Sequence, residues 1–216
     1  MQAIMETIFE SLYLFFAIES GILLLIKGKK KKNYILFGLA TLLLGVGDSF
    51  HLIPRMMALW TTDGFDKYEV WLGIGKLVTS ITMTIFYVVL FYFFRNRYNK
   101  KTPIYFDVCY LSLAIIRIAL CAFPQNEWFI SNSNYYWGIY RNIPFVLIGI
   151  MFIVLTFNWC KQDQYFKFTW LLVTLSFVFY LLTVLVAPFV SFMGMMMLPK
   201  TVCYVILIIF ALKSSI

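Results

Sequence analysis

The chain has 216 residues, of which 62% are hydrophobic and only 13% charged, and it carries a formal net charge of +8. Soluble domains carry about 25% charged residues, so this composition excludes an ordinary soluble globular domain. The basic residues sit in short stretches beside apolar segments, with no basic arm and no RNA-binding signature, which argues against a nucleic-acid partner and for a topology signal.

Seven segments are long enough to cross about 30 Å of hydrocarbon as helices. The first spans roughly residues 6–27. It follows Glu6 and Glu10 rather than a basic region, so it reads as a span and not as a cleavable signal peptide. Glu19, flanked by Ser20 and Gly21, falls near its middle and is expected to meet a cation, a ligand or a proton there. Lys27 and Lys29 to Lys32 follow, a run that suits anionic lipid headgroups. The second span, 34–58, holds Asp48, His51 and Arg55 at spacings of three and four, hence on one helix face. Pro54 frees the carbonyl of Phe50 and predicts a kink beside these groups.

The third span, 69–94, places Lys76 ahead of Thr79 and Ser80, with Gly73 and Gly75 allowing close backbone approach. The fourth, 103–123, has Arg117 with Cys121 one turn later, and ends in Phe123-Pro124-Gln125-Asn126. The fifth, 135–160, carries Trp137 and the run Tyr140-Arg141-Asn142 before Pro144. The sixth, 168–190, offers hydroxyls from Ser176, Tyr180 and Thr183. The seventh, 196–213, opens with Pro199-Lys200 and has Tyr204 one turn on. The expected fold is therefore all-α: a polytopic membrane protein, a seven-transmembrane-helix bundle forming one transmembrane domain over 1–216.

Lysine and arginine dominate the loops after the odd-numbered spans, through the lysine run, then Arg95, Arg97, Lys100 and Lys101, then Lys161 and Lys167, with Lys213 closing the last span. The opposite loops hold Lys67 among Asp63, Asp66, Glu69 and Glu127. The positive-inside rule then predicts the N-terminus outside, the C-terminus cytoplasmic, and residence in the plasma membrane. In this orientation Arg55, Lys76, Arg117, Arg141 and Lys200 all fall in the outer third of the bilayer. Five cations face two intramembrane carboxylates, Asp48 and Glu19, which predicts an outward-opening cationic pocket.

Two functions compete for such a pocket. One is recognition of an anionic small molecule or lipid, as receptor or carrier, with Arg55, Lys76, Arg117, Tyr140, Arg141, Asn142, Lys200 and Glu19 as ligand contacts. Trp71, Tyr136, Trp137 and Tyr140 are expected to wall its apolar part. The other is an intramembrane enzyme acting on a lipid or lipid-linked substrate, with Asp48 orienting His51 for acid–base work. A purely structural role for the charges is the third possibility.

The stretch Asp48-Ser49-Phe50-His51 resembles, over about five residues and in helix count, the second-helix Ser-x-x-Phe-His pattern of the seven-helix CREST hydrolases. Those enzymes bind zinc through further histidines on the last helix. Here His51 is the only histidine and the last span offers Lys200, so neither membership nor a zinc site follows. No metal or cofactor is expected. Cys109, Cys121, Cys160 and Cys203 form no paired motif and read as packing residues. A light-sensing role is disfavoured because Lys200 lies near the end of its helix. Oligomeric state is not legible.

Overall fold

The computed structural model describes residues 2–28, 33–130 and 134–215. Among these residues the regular structure is entirely helical, with no strand. Eight α-helices follow one another: α1 Gln2–Gly28, α2 Asn33–Leu59, α3 Gly64–Lys67, α4 Glu69–Arg97, α5 Ile104–Ala122, α6 Tyr135–Trp159, α7 Thr169–Val186 and α8 Met197–Ser215. Short 3-10 turns lie at Pro124–Asn126 and Ser191–Met196. All but α3 are long and apolar enough to cross a membrane, which suggests a membrane protein. Of the lysine run, Lys27 closes α1; residues 29–32 lie outside the described residues.

The apolar segments locate the seven long helices, with three informative departures at their ends. Helix α1 starts at Gln2 rather than 6, so Glu6 and Glu10 are helical and buried instead of preceding the span. Helix α4 continues to Arg97 rather than 94, because aromatic and basic residues extend the turn pattern. Helix α7 stops at Val186 rather than 190. Ala187 keeps helical backbone (φ −59°, ψ −30°), but Pro188 has no N–H with which to continue the ladder, and the chain then turns through Ser191–Met196 into α8. Helix α2 runs through Pro54, and α6 through Pro144.

Helix α2 packs between α1 and α4; α5 bridges α4 and α6; α7 lies between α6 and α8; and α8 returns to α1 and α2, closing the ring. In lipid the drive for this packing is close van der Waals fit and buried hydrogen bonds rather than water release. Gly75 shows the fit. A methyl group there would strike the Phe50 carbonyl and the His51 Cα, so glycine lets α4 lie directly on the polar turn of α2.

The centre is aromatic. Tyr87 is fully buried and meets Phe86, Phe145 and Phe152 edge-on, at centroid distances of 5.3, 5.5 and 5.5 Å. Such pairs contribute about 0.5–1.5 kcal/mol each beyond their area. The Tyr87 and Tyr204 hydroxyls lie 3.1 Å apart, and the Tyr110 hydroxyl donates to the Tyr87 carbonyl at 3.1 Å.

The end holding Arg95, Arg97, Lys161 and Lys213 (the basic end) is tied by matched charge. Arg97 donates from Nε to Asp163 Oδ2 at 3.0 Å and from Nη1 to the Tyr34 hydroxyl at 2.7 Å. Its guanidinium carbon lies 4.8 Å from the Phe166 ring centroid. Tyr98 donates to the same carboxylate oxygen, and the Tyr165 and Phe166 amides donate to the other. Tyr34 passes the chain on to the Ser214 carbonyl at 2.6 Å, so α2, α4, α8 and the α6–α7 loop meet in one network. Burial alone would raise the Asp163 pKa. The two amides, the Tyr98 hydroxyl and Arg97 overcome it and hold the carboxyl below its usual 3.8.

Candidate functional site

Toward the opposite end, which carries Asp63, Asp66, Glu69 and Glu127, the helices part around a cavity of about 390 Å³. Its cationic wall is Arg55 from α2, Lys76 from α4, Arg117 from α5, Arg141 from α6 and Lys200 from α8, with His51 beside them. Counting turns from the helix ends puts these six groups within about 12 Å of that end at 1.5 Å per residue. Asn142 and Tyr180 also line it, along with Phe145, Trp128 and Met83.

Each cation is held differently. Arg117 is 1% exposed, and its guanidinium carbon stands 3.5 Å from the Phe145 ring centroid. Its Nε and Nη1 are buried with no hydrogen-bond partner. Arg141 lies 4.1 Å over the Trp128 ring and donates from Nη1 to Asn126 Oδ1 at 2.9 Å. Asn126 in turn gives its amide to the Leu120 and Phe123 carbonyls at 2.7 and 2.8 Å, so the turn that stops α5 also aims Arg141. Trp128 is fixed by its indole N–H on the Cys121 carbonyl at 2.9 Å. Gly73 makes room for the Trp128 carbonyl, which any Cβ there would strike.

Lys200 is 6% exposed and sits 5.1 Å from the Tyr180 ring and 5.9 Å from the Tyr204 ring. Tyr180 donates to Asn142 Oδ1 at 2.6 Å, and Asn142 donates to the Gly138 carbonyl one turn back. Lys76 is exposed within the open cavity. Among the described residues no carboxylate lies within ion-pair distance of Lys76, Arg117, Arg141 or Lys200. Asp48 is near enough to Lys200 to act electrostatically but forms no ion pair with it.

Several sequence expectations change here. Arg55 is not an unmatched cation: it meets Glu6 at 2.8 Å and Glu10 at 3.4 Å, both buried on α1. Glu19 is no partner for the cavity. It is exposed on the outer face of α1, among Leu12, Phe15 and Ile22, because its position lies half a turn from the buried Ala17–Leu24 stripe. Tyr140 is 52% exposed and outside the cavity wall, since one residue before Arg141 means about 100° around the helix. Trp71, Tyr136 and Trp137 also lie outside that wall; Trp128, Tyr135, Phe145 and Tyr180 take the place expected for them.

Asp48 does not orient His51. Its Oδ2 accepts the Tyr13 hydroxyl at 2.7 Å, while His51 Nδ1 is buried without a partner and the ring bonds the Leu72 backbone. Among the described residues no three His, Cys, Asp or Glu side chains converge as a metal site. Glu6, Glu10 and Tyr13 were missed as site residues. Their signal was present as spacings of four and three that continue through Ala17, on the buried face of α1.

No protein-family model, curated protein or solved structure matches this chain. What fold and site define together is a helical bundle of membrane-spanning character with a cation-lined cavity.

Proposed function

We propose that the cavity binds the carboxylate or phosphate group of a small molecule or lipid, and that the protein serves as a receptor or carrier in the plasma membrane. In this reading the basic end faces the cytoplasm, by the positive-inside rule, and the cavity opens outward. The N-terminus is then outside and the C-terminus cytoplasmic. The observation that carries the reading is Arg117, buried with Nε and Nη1 unpartnered, beside Lys76, Arg141 and Lys200, which lack carboxylate partners among the described residues. Buried guanidinium donors without a partner suit an oxyanion. Phe145, Trp128 and Met83 supply an apolar wall for the remainder of the ligand.

The acid–base alternative requires Asp48 and His51 to act as a unit. With Asp48 engaged by Tyr13, binding is the better-supported role. The test is thermal stabilisation of the purified protein by sulfate, phosphate monoesters and fatty carboxylates. Ligand at a hundred times its Kd stabilises by about 2.7 kcal/mol, and Arg141→Ala should remove most of that gain. No stabilisation by any anion sinks the reading.

A further inference from the structure

A second void of about 40 Å³ lies on the far side of His51, lined by Glu6, Glu10, His51, Arg55 and the start of α8. It exceeds the roughly 10–15 Å³ that one water needs. Two of its walls carry buried polar atoms without partners, Glu10 Oε2 and His51 Nδ1. Glu10 is 3% exposed. Because Nδ1 has no partner, the bond to the Leu72 backbone belongs to Nε2, and a backbone carbonyl can only accept. Nδ1 therefore presents a lone pair. A carboxylate oxygen also presents lone pairs. Two acceptors facing one void need a molecule with two donors, and Arg55, already on both carboxylates, opposes a metal cation there.

We infer that Glu10 and His51 share a bound water in this void, and that the bridge couples anion binding in the main cavity to uptake of one proton. His51 lines both spaces, as do Arg55, Gly194 and Met197, and of these it is the side chain type that changes charge near neutral pH. The transfer is simple. The Glu10 carboxylate takes a proton from solution and passes it to the water while the water gives another to Nδ1, leaving carboxylate, water and imidazolium with one proton gained. Facing the imidazole are Arg55 on its own helix, Lys76 on α4 and Lys200 on α8. Facing Glu10 are Glu6 on its own helix and Arg55 on α2. Asp48, one turn before His51, is occupied by Tyr13. Three cations oppose an imidazolium until an anion enters and offsets them; linkage then requires the proton to favour the anion equally. The bridge stands on geometry alone, whereas the coupling rests on the anion-binding reading.

The only histidine in the chain is His51, so its imidazole ¹⁵N signals assign themselves. Histidine-labelled protein in lipid nanodiscs is titrated from about pH 8 to pH 5, where histidine charge changes are usual, with and without sulfate, which stays dianionic throughout. The expected result without sulfate is an Nε2–H tautomer with a hydrogen-bonded Nδ1 that shifts in Glu10→Gln. With sulfate, imidazolium should form at higher pH, and sulfate affinity should rise by up to about tenfold per pH unit as pH falls. That slope should flatten in Glu10→Gln while sulfate still binds; Arg55 keeps Glu6, so the variant retains its fold. An Nδ1 signal typical of a free lone pair and indifferent to Glu10→Gln overturns the bridge, whether or not sulfate binds. Sulfate binding independent of pH overturns the coupling and leaves the anion reading intact. If sulfate binds at no pH, both the coupling and the sulfate form of the anion reading fall, and the sulfate-free spectra still decide the bridge.

Discussion

At the basic end Arg97 has a carboxylate, a hydroxyl and an aromatic face; in the cavity Arg117 has an aromatic face and nothing for Nε or Nη1. The first arginine is part of a network in which Asp163 accepts from two amides and a tyrosine as well. The second is more deeply buried, yet among the described residues it has no counter-charge. Burying a cation without a partner is costly, so the two sites answer different demands. One holds α2, α4 and α8 together. The other keeps donors free, at a cost in stability that a ligand can relieve. The Arg55 cluster stands between them, with its two glutamates closing the charge but leaving Glu10 Oε2 unpartnered.

Four substitutions or titrations can break this contrast. The largest effect belongs to Arg97→Met, which removes the cation beside Asp163 and the donor to Tyr34 and should destabilise by about 3 kcal/mol in reversible detergent unfolding. Loss below about 1 kcal/mol would show the network to be ornamental. Arg55→Met takes the cation from the buried Glu10 and should lose about 2–3 kcal/mol, the range for a buried charged group left unsatisfied.

A pH titration sharpens the basic end. The Asp163 carboxyl titrates below its usual 3.8 in the folded chain. Its contribution is therefore complete above the unfolded value and is lost as pH falls through the lower folded value. The stability gap between wild type and Asp163→Asn should be constant near neutrality and should narrow below about pH 4; a gap that stays constant in acid contradicts the assignment. The smallest stability effect is expected for Arg117→Met. Removing a cation with no carboxylate partner among the described residues should change stability by less than about 1 kcal/mol, or raise it, while weakening anion binding at least tenfold, the range for a lost charged hydrogen bond. A large destabilisation there would make Arg117 a structural residue like Arg97.

The sequence made the seven long helices legible because an apolar run needs no tertiary information to be recognised. It also made the common depth of Lys76, Arg117, Arg141 and Lys200 legible, because depth follows from counting residues along a helix. Azimuth was the harder quantity. A helix in lipid is apolar on every side, so periodicity barely separates a face toward neighbours from a face toward lipid. Glu19 and Tyr140 were misplaced for that reason, each by a fraction of a turn. Glu6 and Glu10 were misplaced along the axis, since a hydropathy window starts a span after its acids even when the helix starts before them. Their pairing with Arg55 joins residues 45 to 49 positions apart, which spacing within one helix cannot reveal.

The central claim is that the cavity's cations stay unmatched in order to meet an anion. It is tested most directly by an experimental map of the protein soaked with selenate, read from the selenium anomalous signal. The expected result is a peak between Arg117 and Lys200, with an oxyanion within hydrogen-bonding distance of Arg117 Nε or Nη1, and no such peak in Arg117→Met. A cavity that is closed, or an Arg117 edge taken up by a carboxylate of the protein itself, contradicts it.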